Sequence, residues 1–488
     1  MKDIYYLQVA FYLNHQLVEA EILPATRAID LIRAQGFTGT KETCGEGDCG
    51  ACTIAIGQLV NDQLQYRSVN SCIFPAAKLH GKHIITVEGL MQAGKLHLIQ
   101  QMLLDSHATQ CGYCTPGMVM SLFALFANNP KPEKEAVFAA LEGNLCRCTG
   151  YQTIYDAAIA VSKALEEYSP DWRSLIFPDY VVDMPPKIKA LHTLRYLSKR
   201  APEIEITEGY FIPKTFAELF SLMENHQDNF TLILGGTDLI VEANLKDKHA
   251  LYYIDLSELS ELAFIKEQNN KIFIGAGTTY AELFDSDLIQ KKLPALCRAI
   301  REMASQQIRN VGTLAGNIAH ASPVADGVVA LLGLGASVVL KSKEAERVIP
   351  LEEFFTGYQT TVMNSREIIA SIEVPVQTGE GIFIKGAKRV AVDISKICSL
   401  IYVELKENKI SACRIAFGGV DQYPTIAKKT MKKIINKTLT EKLINEIADS
   451  VYDEFKKIIE TRSEPEYRKA LVKNHVIKSF NTVLTEEE

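Results

Sequence analysis

The chain has 488 residues, enough for about three domains with cores of their own. It is 47% hydrophobic and 23% charged, an ordinary globular balance that excludes disordered and fibrous classes. A net charge of −7 argues against nucleic acid as a partner, because such binders carry a basic face.

The opening residues, Met1-Lys2-Asp3-Ile4-Tyr5-Tyr6, lack an apolar stretch ending at a small-residue cleavage site. The longest largely apolar run, residues 328–340, is too short to span a bilayer. The expectation is a cytoplasmic protein without membrane contact, where thiols stay reduced. Of the 11 cysteines, eight fall at Cys44, Cys49, Cys52, Cys72, Cys111, Cys114, Cys146 and Cys148. Cys297, Cys398 and Cys413 are scattered and read as small buried residues. Clustered thiols in a reducing compartment point to metal or redox chemistry rather than disulfides.

In chain order, residues 1–90 read as short strands around a cysteine loop. Residues 4–9 and 53–56 are β-rich, and residues 28–33 suit a short helix. Residues 91–168 turn helical, with an apolar face over 116–127 and good helix formers over 134–143. Residues 169–207 read as a linker, because Pro170, Pro178, Pro185, Pro186 and Pro202 interrupt any long regular element. His80 and His83 read as part of a solvated loop, and Trp172 as the linker's anchor on another surface. Residues 208–384 are α/β. Strands at 231–234 and 271–274 each end in a glycine-rich turn and lead into a helix, the longer one starting near Tyr280. Residues 385–488 open with strands such as 400–405 and continue mostly as helix.

The spacing Cys44-x4-Cys49-x2-Cys52, with Cys72 after nineteen intervening residues, is that of a plant-type 2Fe–2S ferredoxin. Two irons bridged by two sulfides need four thiolates, and here three come from one loop. Gly45, Gly47 and Gly50 let that loop adopt unusual dihedrals and aim N–H groups at sulfur. Structural zinc favours repeated C-x2-C pairs and fits this set poorly. The second set, Cys111-x2-Cys114 and Cys146-x-Cys148, supplies four more thiolates from two short pairs. Taken alone it suits either zinc or a second cluster; beside the first set, a relay cluster is the better reading.

No G-x-G-x-x-G follows a strand; the run from Gly333 to Val338 fails at the third glycine, so a Rossmann site is not supported. Leu232-Ile233-Leu234-Gly235-Gly236-Thr237-Asp238-Leu239 offers a strand end at which backbone N–H groups can wrap a pyrophosphate. Thr313-Leu314-Ala315-Gly316-Asn317, continuing to Asp326, offers a second polar loop. On spacing alone, a plain turn is the better reading of each.

Three segments carry a specific resemblance. Thr43-Cys44-Gly45-Glu46-Gly47-Asp48-Cys49-Gly50-Ala51-Cys52-Thr53, Gln110-Cys111-Gly112-Tyr113-Cys114-Thr115-Pro116-Gly117-Met118 and Asn144-Leu145-Cys146-Arg147-Cys148-Thr149-Gly150-Tyr151 resemble the cluster loops of the xanthine dehydrogenase family of molybdenum hydroxylases. The likeness extends through the flavin region and is greatest to the small iron–sulfur/FAD subunit of that family. It implies an α+β multidomain fold: a β-grasp ferredoxin-like domain at 1–90, a four-helix iron–sulfur domain at 91–168 and a linker at 169–207. A vanillyl-alcohol-oxidase-type FAD domain at 208–384 and an α/β C-terminal flavoprotein domain at 385–488 would follow.

By the same resemblance, Cys44, Cys49, Cys52 and Cys72 hold one 2Fe–2S cluster, and Cys111, Cys114, Cys146 and Cys148 the other. Leu232, Ile233, Leu234, Gly235, Gly236, Thr237, Asp238 and Leu239 hold the FAD pyrophosphate. Thr313, Asn317 and Asp326 bind its phosphates or its ribityl and adenosine parts. Ile369 and Lys385 lie near the flavin, and Met303 stands where the family often has an aromatic residue. Gln110 and Cys148 face the pterin of a partner.

The implied activity is xanthine dehydrogenase. A large molybdopterin-binding subunit oxidises hypoxanthine and xanthine to urate, and this chain passes the electrons through the helical-domain cluster, the ferredoxin-like cluster and FAD to NAD+. No residue of this subunit acts as acid or base on the purine. The sequence ends at Glu488 without molybdopterin domains, so a separate subunit is expected, and the family suggests a dimer of heterodimers. The competing readings are the same role beside an aldehyde- or N-heterocycle-oxidising partner, a stand-alone iron–sulfur flavoprotein reductase, and a zinc-stabilised interaction protein.

Overall fold

Leu7, Val9, Phe11 and Leu13 are all buried, as a strand with one face against a core requires. The computed structural model describes residues 6–168, 170–193, 209–226, 229–246 and 249–486. In it, Leu7–Leu13 belongs to a mixed five-stranded sheet ordered Gln16–Ile22, Leu7–Leu13, His83–Ile85, Thr53–Val60, Gln63–Asn70. Only Leu7–Leu13 and His83–Ile85 pair in parallel. The helix Ala28–Ala34 buries Ala28, Ile29, Leu31 and Ile32 in the core shared with that sheet. A mixed sheet curled around one helix is the β-grasp arrangement expected of the N-terminal region.

Four helices follow, Leu98–Asp105, Thr115–Asn128, Lys134–Leu141 and Gln152–Glu167, with a common apolar core. Pro116 sits in the first turn of Thr115–Asn128, where a missing N–H costs nothing. The stretch expected as a proline-interrupted linker holds regular structure in its described part. Pro185 and Pro186 open a helix, Met184–Thr193, whose Ile188 and Leu191 pack on Ala10. Pro202 lies outside the described residues. Trp172 packs part-buried against the helical core, its ring 6.3 Å from that of Phe177.

His83 departs from the solvated-loop expectation: it is wholly buried in the strand His83–Ile85. Its Nε2 is 2.8 Å from the Asn14 carbonyl and its Nδ1 2.6 Å from the Tyr66 hydroxyl. With both ring nitrogens partnered, an imidazole tolerates burial. His80 accepts from the Ala10 N–H at 3.1 Å.

Two compact units divide the chain. The first comprises Met1–Ile212, Asn229–Asp255 and Ala304–Val311; the second comprises Pro213–Asp228, Leu256–Met303 and Gly312–Glu488. Three stretches inside the expected FAD region, 209–212, 229–255 and 304–311, thus pack with the iron–sulfur regions. The first two stretches form a parallel three-stranded sheet ordered Gly209–Phe211, Tyr252–Asp255, Phe230–Ile233, and the second also carries the helix Leu239–Lys246. Tyr210, Ile233, Ile240 and Tyr253 bury into the ferredoxin-like core.

The second unit contains an antiparallel five-stranded sheet, Glu346–Pro350, Ser337–Lys341, Ile368–Pro375, Lys271–Gly275, Ile265–Gln268. The longer helix expected from Tyr280 is two short ones. Tyr280–Asp285 ends at Ser286, whose hydroxyl then caps Asp287–Lys292. The C-terminal part is an antiparallel meander, Glu380–Gly386, Ile397–Lys406, Lys409–Gly418, Thr425–Ile426, backed by the helices Glu441–Ile459 and Pro465–Glu486. Cys398 and Cys413 are buried in this unit and Cys297 is partly exposed. Among the described residues no helix is long and apolar enough to cross a membrane.

Candidate functional site

The loop from Cys44 to Cys52 turns on three glycines in the left-handed region, Gly45 (φ 70°), Gly47 (φ 81°) and Gly50 (φ 68°). Those turns direct N–H groups inward. The Cys49 N–H lies 3.4 Å from the Cys44 sulfur, and the Glu46 N–H also donates to it. The outward carbonyls go to asparagine side chains: Asn70 takes Gly47, Asn244 takes Gly45 at 2.8 Å and Cys72 at 3.0 Å, and Asn144 takes Gly50 at 3.0 Å. The loop therefore offers positive backbone edges to sulfur while its negative edges are neutralised elsewhere. That polarity suits an anionic cluster.

Cys52 and Cys72 place their sulfurs 3.3 Å apart, and Cys44 lies beside Cys49 and Cys72. Donors from Cys49 and Cys72 hold the Cys44 thiol well below its ordinary value, and Cys44 in turn pushes both of those thiols up. In the second set, the Cys111 and Cys148 sulfurs are 3.7 Å apart and exposed, and Cys114 lies beside Cys146. Cys114 is pushed up to about 12, chiefly by burial. Burial also raises Cys146, but the hydroxyl and N–H of Thr149 and the N–H of Cys148 outweigh it and the net shift is downward. The Tyr113 N–H is the largest influence lowering Cys111.

Two thiolates on one tetrahedral metal at 2.3 Å stand roughly 3.8 Å apart. The paired sulfurs therefore fit ligation two to an iron. Among the described residues no three His, Cys, Asp or Glu side chains converge to hold a single metal ion. All eight predicted cysteines lie in the first unit, and the two loops touch: the Leu145 N–H donates to the Cys49 carbonyl at 2.9 Å. Gln110 donates to the Cys148 carbonyl at 3.1 Å, which puts both expected pterin-facing residues side by side.

The expected flavin residues divide between the units. In the first, the strand Phe230–Ile233 runs into Leu234, Gly235 and Gly236 (φ 75°), and Gly236 and Asp238 accept the first bonds of the helix Leu239–Lys246. A bare-backbone turn at the head of an eight-residue helix fits a pyrophosphate. Lys78, only 8% exposed, donates to the Leu234 carbonyl and lies 3.3 Å from Asp255, which also accepts from Tyr210 at 2.6 Å. Sequence reasoning missed Lys78, Asn144 and Asn244, because no local pattern marks a polar residue whose partner lies on a distant segment.

In the second unit, Thr313 caps the helix Leu314–His320, and Asn317 accepts from the Tyr280 hydroxyl at 3.0 Å. Asp326 and Lys385 pair with each other at 2.8 Å. Ile369 is buried on the strand Ile368–Pro375, and Met303 ends the helix Pro294–Glu302.

Known proteins extend this geometry. Residues 86–159 match the family described as 2Fe-2S binding domain, residues 202–377 the FAD binding domain in molybdopterin dehydrogenase, and residues 382–483 the CO dehydrogenase flavoprotein C-terminal domain. Xanthine dehydrogenase of Emericella nidulans is 32% identical over 89% of this chain and 35% of that protein. Xanthine dehydrogenase/oxidase of Rattus norvegicus is 29% identical over 98% and 39%. Aldehyde oxidase 1 of Cavia porcellus is 28% identical over 91% and 37%. The chain thus spans well under half the length of these relatives. Solved structures share the fold of rather more than half of the chain, two of them as follows. One is a carbon monoxide dehydrogenase from Hydrogenophaga pseudoflava that lacks the Mo-pyranopterin moiety (TM-score 0.53, 24% identity, 58% of this chain and 99% of that one). The other is quinoline 2-oxidoreductase from Pseudomonas putida 86 (TM-score 0.52, 22% identity, 57% and 97%). A chain that follows such relatives along 89% or more of its own length, and that itself matches cluster, flavin and C-terminal flavoprotein families in turn, belongs to the molybdenum hydroxylase family as its iron–sulfur/FAD component.

Proposed function

We propose that this chain is the electron-carrying subunit of a xanthine dehydrogenase, working beside a separate molybdopterin subunit and delivering to NAD+. The observation that supports this most is the joining of two four-cysteine loops in one unit, through the Leu145 N–H and the Cys49 carbonyl. When bound, 2Fe–2S clusters exchange single electrons and FAD converts between single electrons and hydride. The chain's own residues hold and orient. Cys44, Cys49, Cys52 and Cys72 take one cluster and Cys111, Cys114, Cys146 and Cys148 the other. Asn70, Asn144 and Asn244 keep the first loop's carbonyls away from sulfur.

For FAD, residues 232–239 supply the pyrophosphate turn, and Thr313, Asn317, Asp326, Ile369, Lys385 and Met303 the remaining contacts. Gln110 and Cys148, both exposed, face the pterin-bearing partner. The overall balance would be xanthine, water and NAD+ giving urate, NADH and a proton. The assembly would be a cytoplasmic dimer of heterodimers.

A second reading, the same role with an aldehyde or an N-heterocycle as substrate, is favoured by the 28% identity to aldehyde oxidase 1. Co-expression with the molybdopterin subunit and turnover of xanthine against aldehydes and quinoline separates the two. Cys111→Ser in that assembly should abolish purine-dependent NADH formation while NADH still bleaches the flavin. Wild-type purine turnover in the variant would remove the second cluster from the route.

A further inference from the structure

Asn144 stands just ahead of Leu145 and Cys146 and is 2% exposed. Its amide is fully engaged. The nitrogen donates to the Gly50 carbonyl at 3.0 Å and reaches the Thr53 hydroxyl at 3.3 Å. The oxygen accepts from the Ser121 hydroxyl at 2.6 Å and from Gln307 at 3.0 Å, and Gln307 also donates to Ser121 at 3.0 Å. One side chain therefore ties together the first cysteine loop, the helix Thr115–Asn128 that follows Cys114, and the segment Ala304–Val311.

The backbone around it is packed as closely as backbone allows. A Cβ at Gly50 would stand 2.2 Å from the Gly143 carbonyl, and one at Gly117 would stand 2.1 Å from the Gly50 carbonyl. Glycine at 50 lets the Cys146 loop approach the first loop this far, and glycine at 117 does the same for the helix Thr115–Asn128; the Asn144 amide fills the polar space left between them. Next to it, the Leu145 N–H meets the Cys49 carbonyl at 2.9 Å, so one hydrogen bond and the backbone of Leu145 separate Cys49 from Cys146.

We propose that Asn144 is a positioning residue: by clamping the Gly50 carbonyl to the Cys146 loop it fixes the separation, and so the electronic coupling, of the two clusters. The Asn144 amide, buried with every one of its own hydrogen-bonding sites used, has one low-energy orientation, and a side chain so held specifies geometry rather than merely adding stability; in the network around it the Gln307 Oε1 has no partner among the described residues. The inference rests on the two-cluster reading above.

The test is electron paramagnetic resonance of the purified full chain, reduced with dithionite, with iron and sulfide counted on the same samples. Asn144→Ala should keep its iron and lose the spin–spin splitting between the reduced clusters. Ser121→Ala, which removes one donor from the Asn144 oxygen, should narrow the splitting in the same direction. Val161→Ala, a truncation in the helical core away from the loops, should melt earlier with the splitting unchanged. Wild-type splitting in iron-replete Asn144→Ala overturns the proposal. If that variant does not accumulate, wild-type splitting in Ser121→Ala overturns it equally. Loss of splitting in Val161→Ala also overturns it, because the effect would then be general loosening. A wild-type chain without any cluster signal would instead refute the underlying two-cluster reading.

Discussion

Lys385 and Asp326 form an ion pair at 2.8 Å in which each side chain is only 5% exposed. The second oxygen of Asp326 accepts from Ser395 at 2.6 Å, and Lys385 also donates to the Glu302 carbonyl at 3.0 Å. A buried pair is tolerable only when its remaining valences are met in this way, and removing one partner strands the other charge. Lys385→Met should therefore cost about 3–5 kcal/mol in thermal unfolding of the second unit. Lys385→Met combined with Asp326→Leu should recover much of that loss. Equal losses in the single and double variants would show that the charge pairing is not what holds this region.

Gly50 and Gly94 share a left-handed backbone but not their surroundings. At Gly94 a Cβ meets nothing within 4 Å, so Gly94→Ala should cost only about 1 kcal/mol, the conformational term alone. At Gly50 the same Cβ would strike the Gly143 carbonyl. Gly50→Ala should lower both iron content and melting temperature far more than Gly94→Ala. Similar behaviour of the two variants would contradict the close approach of the cysteine loops.

Cys52 and Cys413 are both buried, yet only Cys52 has another thiol at 3.3 Å. Serine at position 52 should reduce bound iron from about four to about two per chain, the content of one 2Fe–2S cluster. Serine at position 413 should leave iron unchanged. Iron assay of purified protein decides it, and loss of iron at 413 would overturn the ligand assignment.

His83 is held at about 4, mainly by burial, against an ordinary value near 6.5. The unfolded chain then binds the proton more readily than the folded one, so stability is complete above about pH 6.5 and falls as the pH drops toward 4. Between pH 7 and 5 this site alone should remove roughly 2 kcal/mol, measurable by urea unfolding. His475, lowered to about 4 chiefly by burial, acts in the same direction in the second unit. A His83→Gln variant should show a flatter acid limb; an unchanged limb would mean that His83 does not govern it.

The arrangement of the cysteines was legible in the sequence because its geometry is local. Cys44, Cys49 and Cys52 sit in one loop whose three glycines, expected to allow unusual dihedrals, take positive φ. The short pairs Cys111 with Cys114 and Cys146 with Cys148 likewise carry their spacing on their face. The same holds for the helix Thr115–Asn128 and the strand Phe230–Ile233, where apolar periodicity and a glycine stop act within a dozen residues. What spacing could not express is which distant backbone a polar side chain will serve. Asn144 reaches a carbonyl 94 positions away, Asn244 one 199 away, and Lys385 pairs with a carboxylate 59 away. His83 reads as loop until Asn14 and Tyr66 close on its ring, and Pro185 and Pro186 read as breakers until they open a helix that packs on Ala10. Residue type and interval set local dihedrals and the reach of neighbouring thiols. Partner choice, burial and charge pairing exist only once segments far apart in the chain have packed, since each depends on which groups lose water together.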